Sequence, residues 1–445
     1  MNFIETCRKA ISIDSSQSHG NGDLAVYFGE LCREAGLYVE FHDEVLNGLS
    51  QKNLVAKTLS SANEFEFILQ TPIDTADPGI YAFWTKTEQN PFNASIYGDD
   101  LFGLGTSRCK LDFLCKLEAI KEIGVKNIKH PIALVATYGE LTGMAGAIKL
   151  IRKTKLKSKR ALIGGVTGNR LVTGSVGLAK VEITVPFTKE EIEARHQHDV
   201  VESSSSQSKI FYKNEEGLVH LNKNPIVHMV NFLENLPQGI VVLDIDGGLH
   251  YNTTPETAYL EFDLMGGFEN SIIEKIGGVI KSLVELERHF HETPIEGYEP
   301  PFTPMNLGSI RTFRDHVKLE GCCKITSEIG EKQYESWMNQ VKESCDGYDA
   351  NFLISEYKKP FFTNPESEFF SSAKLILADV KNETLAKKIS YTTEASVFSR
   401  LGTECLIFGP GEYLMGEQQA NEMVRISRLN EAVNFYKMIL ERYVI

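Results

Sequence analysis

The chain has 445 residues, 42% of them apolar and 24% charged, with a formal net charge of −14. That length admits two or three domains, and the balance is that of an ordinary globular protein with a sizeable core. The acidic excess argues against nucleic acid or an anionic membrane surface as a partner, and no run nears the roughly 18 apolar residues that span a bilayer.

Taken in chain order, residues 23–36 carry helical periodicity and end on Gly36, a C-cap residue. Strand-like segments follow at 37–42, 53–58 and 66–70, then a helix over 110–123. The run 131–137 reads as a buried strand, 143–151 as the helix after it and 161–164 as another buried strand. Such alternation predicts a mixed, mostly parallel sheet covered on both faces, a three-layer α/β/α domain.

Near Lys180 the pattern changes. Residues 180–187 alternate as a half-exposed strand, and the low-complexity run Ser203–Ser206 reads as a loop. A helix at 225–236, strands at 240–246 and 257–264, a long helix at 270–288, a strand at 317–325 and a helix at 332–345 predict a smaller α+β domain with an antiparallel sheet. From about 359 the first pattern returns: a helix at 367–387, a strand at 404–408, the turn Gly409-Pro410-Gly411 and a helix at 421–442. The expected organisation is a main domain in two parts, 1–179 and 359–445, interrupted by an inserted domain at 180–358.

Eight cysteines (Cys7, Cys32, Cys109, Cys115, Cys322, Cys323, Cys345, Cys405) show no CxxC pair and no regular spacing. The start Met1-Asn-Phe-Ile-Glu-Thr-Cys7 lacks the order of a signal peptide. Both point to a reducing cytoplasm. On the predicted strand, Cys322 and Cys323 alternate faces, one toward the core and one toward the surface.

Several motifs occur in a fixed order: Asn53-Leu-Val-Ala56, Gln70-Thr-Pro-Ile-Asp74-Thr75, Gly103-Leu-Gly105-Thr-Ser-Arg108-Cys-Lys110, Ala136-Thr-Tyr-Gly139-Glu140-Leu141-Thr-Gly143, Ile163-Gly-Gly165-Val-Thr167, Thr393-Glu394-Ala395 and Gln418-Gln-Ala-Asn421-Glu422. Together they resemble the zinc-dependent aminoacylase and carboxypeptidase family that includes acetylornithine deacetylase, succinyl-diaminopimelate desuccinylase and glutamate carboxypeptidase. In that family the second motif reads Gly-His-x-Asp-Thr, the third Gly-x-Gly-x-x-Asp-x-Lys, the fourth Asp-Glu-Glu-x-Gly and the last His-x-x-Asn/Asp-Glu. The resemblance therefore places Pro72, Arg108, Leu141, Gly165 and Gln418 where the family has its ligands for two zinc ions; counted from Gly411, the last ligand falls on Glu417 instead.

Zinc takes His, Cys, Asp or Glu donors, so the resemblance implies the fold and a lost two-metal site, with no cofactor expected. Glu140 matches the family's general base, here vestigial, and Asp74 and Glu394 survive beside it. An Arg108 guanidinium among those carboxylates would supply the positive charge the metals gave. The alternative is a collapsed pocket with Arg108 turned to solvent.

In the inserted domain, Gly217-Leu-Val-His220 with Pro225 resembles the family's lid and dimerisation segment. Gly247-Gly248, Asn252 and Pro255, with Asn306-Leu-Gly308, resemble its substrate-contacting turn. Lys324 and Met265 are the candidates for the lid arginine that grips a substrate carboxylate. His220, Asn252 and Lys324 are thus the expected ligand-binding residues.

Other motifs weigh less. Arg195-His196-Gln-His198-Asp199 follows a polar stretch and reads as a solvated loop rather than a metal site. Gly103-Leu-Gly105 lacks the third glycine of a nucleotide loop, and Thr173-Gly-Ser-Val-Gly177 reads as a turn rather than a nucleophile elbow.

The leading expectation is a catalytically silent homologue, binding an amino-acid-like ligand or a partner subunit and forming a homodimer through the inserted domain. The second is an active amidohydrolase or peptidase, hydrolysing an N-acyl amino acid or dipeptide, with a site rebuilt from Glu140, Glu394, Asp112, Glu417 and a lid histidine.

Overall fold

The computed structural model describes residues 2–46, 48–154, 156–200, 206–214, 220–265, 269–292, 294–298, 300–381, 386–412 and 420–445. The chain divides into two compact units, one made of 1–175, 361–389 and 393–445, the other of 176–360 with 390–392.

The first unit is built on a nine-stranded sheet. Its centre is parallel: Ile132–Thr137, Glu64–Pro72, Lys157–Gly164 and Glu404–Phe408 lie side by side. Its margins are antiparallel, with Tyr38–Leu46 on Leu49–Lys57 at one side and Leu171–Ser175 against Phe361–Phe362 at the other. The central strands are apolar on both faces because both are covered. Phe67 and Leu69 join Ile132, Leu134 and Ala136 in one core, whereas Ile68 joins Ala133 and Val135 in another. Phe28, Phe113, Phe369 and Phe435, from four helices, fill the first core. Ala147 and Leu150 of the helix Ala145–Lys153 fill the second. The sheet is mixed, as expected, parallel through its centre and again where Ala386–Ile389 pairs with Leu171–Ser175 at the margin.

One helix of this unit went without a sequence expectation, and one expectation fails. Phe3–Ile11 is a helix with Asn2 as its side-chain cap. The stretch Thr173–Gly177, expected as a turn, instead ends the wholly buried strand Leu171–Ser175 and opens the strand Gly177–Pro186; Val172 packs in the second core, and that burial outweighs the local turn preference of Gly174 and Ser175.

The second unit carries a seven-stranded sheet in the order Gln207–Tyr212, Thr257–Leu264, Ile240–Gly247, Met305–Thr312, His316–Ile325, Gly177–Pro186, Asn351–Lys358. Every pairing is antiparallel. The helices Pro225–Glu234, Ser271–His291 and Glu331–Gly347 lay their apolar sides into one core against it. Cross-strand charges also line the sheet: Lys318 Nζ lies 2.7 Å from Glu182 and Lys180 Nζ 3.3 Å from Glu320. The lysine hydrogen bond leads in pulling the Glu182 carboxyl down to about 2.

Here too the structure corrects two readings. Cys322 and Cys323 are both buried, so neither is a surface thiol. Residues 195–199, expected as a loop, continue the helix Lys189–Val200. Its start is a reciprocal cap, Thr188 N–H donating to Glu191 at 2.7 Å and Glu191 N–H to Thr188 Oγ1 at 3.1 Å. His196 is exposed on this helix, while the His198 side chain and residues 201–205 of the serine-rich stretch lie outside the described residues. Among the described residues, no helix is long and apolar enough to cross a membrane.

Candidate functional site

In the first unit the motifs separated in sequence converge at the carboxyl ends of the central strands, and glycines let their backbones meet. Gly165 N–H donates to Phe408 O at 3.2 Å, and Gly168 N–H to Gly411 O at 2.7 Å. A Cβ on Gly411 would stand 2.5 Å from the carbonyl oxygens of Ser107 and Arg108. Glu422 accepts the Gly105 N–H at 2.8 Å, tying the C-terminal motif to the 103–110 loop. Asn421, at φ +66°, holds the same strand of contacts by accepting the Lys86 N–H at 2.8 Å.

Among the five positions matched to metal ligands, Pro72 ends its strand buried and without a side-chain donor. Leu141 is 40% exposed. Gly165 has no room for a side chain, because its Cβ would lie 2.4 Å from Ile407 Cγ2. Arg108 is half-buried, and its positive charge lowers Glu422 and Cys109, each of which burial pushes up. Gln418, like Glu417, lies outside the described residues.

The surviving carboxylates stand in different surroundings. Glu394 is fully buried, its Oε2 accepting from Gln70 Nε2 and Thr137 Oγ1, both at 2.5 Å. Asp74 Oδ1 accepts the Glu140 N–H at 3.4 Å. Burial pushes the Asp74 carboxyl up to about 6, against the pull of the Glu140, Leu141 and Gly139 amides. Glu140 itself is half-buried. Lys110 is sealed in, donating to Ile13 O at 2.7 Å, and burial lowers its ammonium to about 7 although Asp14 and Glu422 oppose this.

Asp112 belongs to a sealed network that the sequence did not reveal. Its Oδ2 lies 2.7 Å from Lys116 Nζ and accepts from Thr71 Oγ1 at 2.9 Å, while Oδ1 accepts from the Tyr436 hydroxyl. Lys116 also donates to Gln70 O at 2.6 Å, and both charged side chains are wholly inaccessible. Burial depresses the Lys116 ammonium, with Asp112 opposing. The spacing of Asp112 and Lys116, one helical turn apart, was a readable signal; Tyr436, 324 residues away, was not.

In the second unit the expected turn fragments do meet. A Cβ on Gly248 would fall 1.9 Å from Gly308 O, and Asn306 Nδ2 donates to Tyr251 O at 2.9 Å. Asn252 is exposed at that turn. Lys324 pairs with Leu178 in the sheet and Met265 N–H donates to Gly239 O. His220 instead lies against Glu287 and His291, the three offering donor atoms within 4.8 Å of one another. Glu287 is pushed up to about 7 by burial, against the Leu221 amide; burial and then His220 push His291 down. Sequence reasoning missed Glu287 and His291, although their spacing of four residues sets them on one helical face.

Solved structures share this arrangement of a mixed α/β sheet unit interrupted in sequence by an antiparallel α+β unit. An aminoacylhistidine dipeptidase from Vibrio alginolyticus superposes with a TM-score of 0.64 at 17% identity, covering 99% of this chain and 96% of that one. An M20 family metallo-carboxypeptidase, Sso-CP2 from Sulfolobus solfataricus, gives 0.63 at 16% identity over 100% and 99%. In sequence, acetylornithine deacetylase of Erwinia tasmaniensis is 30% identical over 183 residues, 40% of this chain and 46% of that protein. The match thus spans under half the length of that curated relative. The model of peptidase family M20/M25/M40 matches residues 74–442, and the chain belongs to that family.

Proposed function

We propose that this chain is a member of the family that has given up two-metal hydrolysis and keeps the fold to bind a small amino-acid-like ligand. One observation carries the reading: Ile407 fills the space that a carboxylate on residue 165 would need. Pro72 and Leu141 add no donor, so the residues described at these positions do not fit a pair of zinc ions. A site rebuilt from other acids gains little support, since Asp112 and Glu394 already serve buried hydrogen bonds. Glu140 stays as a carboxylate without the metal-activated water it would act on.

The retained turn around Asn252, Gly308 and Asn306 supports ligand binding, and the edge strand Gln207–Tyr212, with Ile210 and Tyr212 exposed, supports a homodimer through the inserted unit. Eight free, buried cysteines support a reducing cytoplasm. The test pairs hydrolysis assays with calorimetric titration of N-acyl amino acids, N-acetylornithine among them, in added zinc. Binding without turnover is expected. Turnover that is abolished by chelator and lost in Glu140→Gln would overturn the reading.

A further inference from the structure

We propose that the second unit holds a zinc site made by His220, Glu287 and His291, separate from the motif positions of the first unit. The three donor atoms lie within 4.8 Å of one another, and His291 Nε2 is 4.0 Å from Glu287 Oε1. Tetrahedral zinc with bonds near 2.1 Å needs donors roughly 3.4 Å apart. Closing that gap takes small side-chain rotations by His220, which is exposed and whose ring lies beside that of His291 with centroids 4.3 Å apart.

Three features distinguish this cluster from a chance meeting of polar groups. Glu287 and His291 share one face near the end of the helix Ser271–His291, four residues apart, so the backbone itself fixes two donors. The Glu287 carboxylate is already oriented, both oxygens lying within 3.0 Å of the Leu221 N–H; such outer hydrogen bonds hold metal-binding carboxylates in place. Most telling, His291 Nε2 is buried and has no hydrogen-bond partner among the described residues. A buried polar atom left so is costly, and a metal ion would satisfy it. Phe302, its ring centroid 3.9 Å from that of His291, covers the imidazole on one side.

The donor set selects the ion. Two imidazoles and one carboxylate suit zinc and neighbouring transition metals, whereas magnesium and calcium call for more oxygen donors. Three protein donors leave a fourth position for water or a donor atom of a bound ligand. Loading would tie His220 to the end of the long helix, closing the 220–291 region of this unit.

The experiment uses the full chain, stripped by chelator and then titrated with zinc against a chromogenic chelator, alongside His220→Ala, His291→Gln and Glu287→Gln. The wild type should bind about one equivalent, with affinity falling more than about 100-fold in either histidine variant. His220 is exposed, so His220→Ala should keep the wild-type circular dichroism and remain interpretable if His291→Gln misfolds. Absence of zinc binding in the wild type overturns this proposal and leaves the reading of the first unit standing. Zinc held undiminished in both histidine variants overturns it too, and places metal elsewhere, against the loss of the two-metal site.

Discussion

Two groups of polar side chains, one sealed in the first unit and one partly exposed in the second, are built to opposite rules. Around Asp112 every donor and acceptor has been used: Thr71, Lys116 and Tyr436 surround the carboxylate, and Lys116 spends its protons on Gln70 O and Thr71 as well. Around His220 the groups converge but leave His291 Nε2 buried and unmet. The first arrangement stabilises a fold and has nothing left to offer a ligand. The second retains capacity to bind. Motif position and chemical capacity have separated in this chain: Asp112 is absorbed into structure, Asp74 Oδ2 stays buried without a hydrogen-bond partner among the described residues, and the one convergence of three metal-type donors among the described residues lies in the inserted unit.

That contrast can be broken at its strong end first. Asp112→Ala would leave the Lys116 charge buried with only neutral partners, and the expected loss is about 3–5 kcal/mol in urea unfolding. Asp112→Ala combined with Lys116→Met should recover part of it, because no uncompensated charge remains; a double variant no better than the single would show that the ion pair is not what the network protects. Next in size is Gly165→Ala. The added methyl meets Ile407 at 2.4 Å, and overpacking there should cost about 1–3 kcal/mol. A neutral or stabilising result would mean that the space is open, weakening the case against a carboxylate at this position.

Asp74 gives the pH-dependent member of the series. Its carboxyl rises from 3.8 unfolded to about 6 folded, so between those values the native chain keeps a proton that the unfolded chain has released. That contribution to stability is full below 3.8 and is lost as pH rises through 6. Asp74→Asn does not titrate, so the variant should gain on the wild type by up to about 3 kcal/mol between pH 4 and pH 7. Parallel stability curves for the two proteins would remove the buried-carboxyl assignment. The smallest expected effect is Glu140→Gln, whose half-buried side chain should change stability by under about 0.5 kcal/mol in thermal unfolding.

Much of the fold was legible in the sequence because burial follows the two periods of helix and strand. The run 132–137 sends Leu134 to one core and Val135 to the other, and the long helix 271–291 shows its apolar stripe openly. The strand 171–175 escaped because Gly174 and Ser175 carry turn preferences that only tertiary burial overrides. Cys322 and Cys323 misled because the strand holding them is covered more fully than simple alternation allows. At the site, motif order located the loops that meet around Gly165 and Gly411. The partners that decide their chemistry were hidden, since Ile407 and Tyr436 reach these loops only through the fold. The His220 cluster was half-visible: Glu287 and His291 lie one turn apart, but their meeting with His220 joins distant parts of the chain, the neighbouring Leu221 lying 66 residues from Glu287.

The central claim is that the first unit no longer holds catalytic metals. Its most direct test is elemental analysis of the His220→Ala/His291→Gln double variant, purified without a metal-binding tag and soaked in zinc. Under about 0.1 equivalents of tightly held metal is the result expected, because the one proposed site has been removed. One or two equivalents retained there would contradict the claim and restore a working metal centre to this chain.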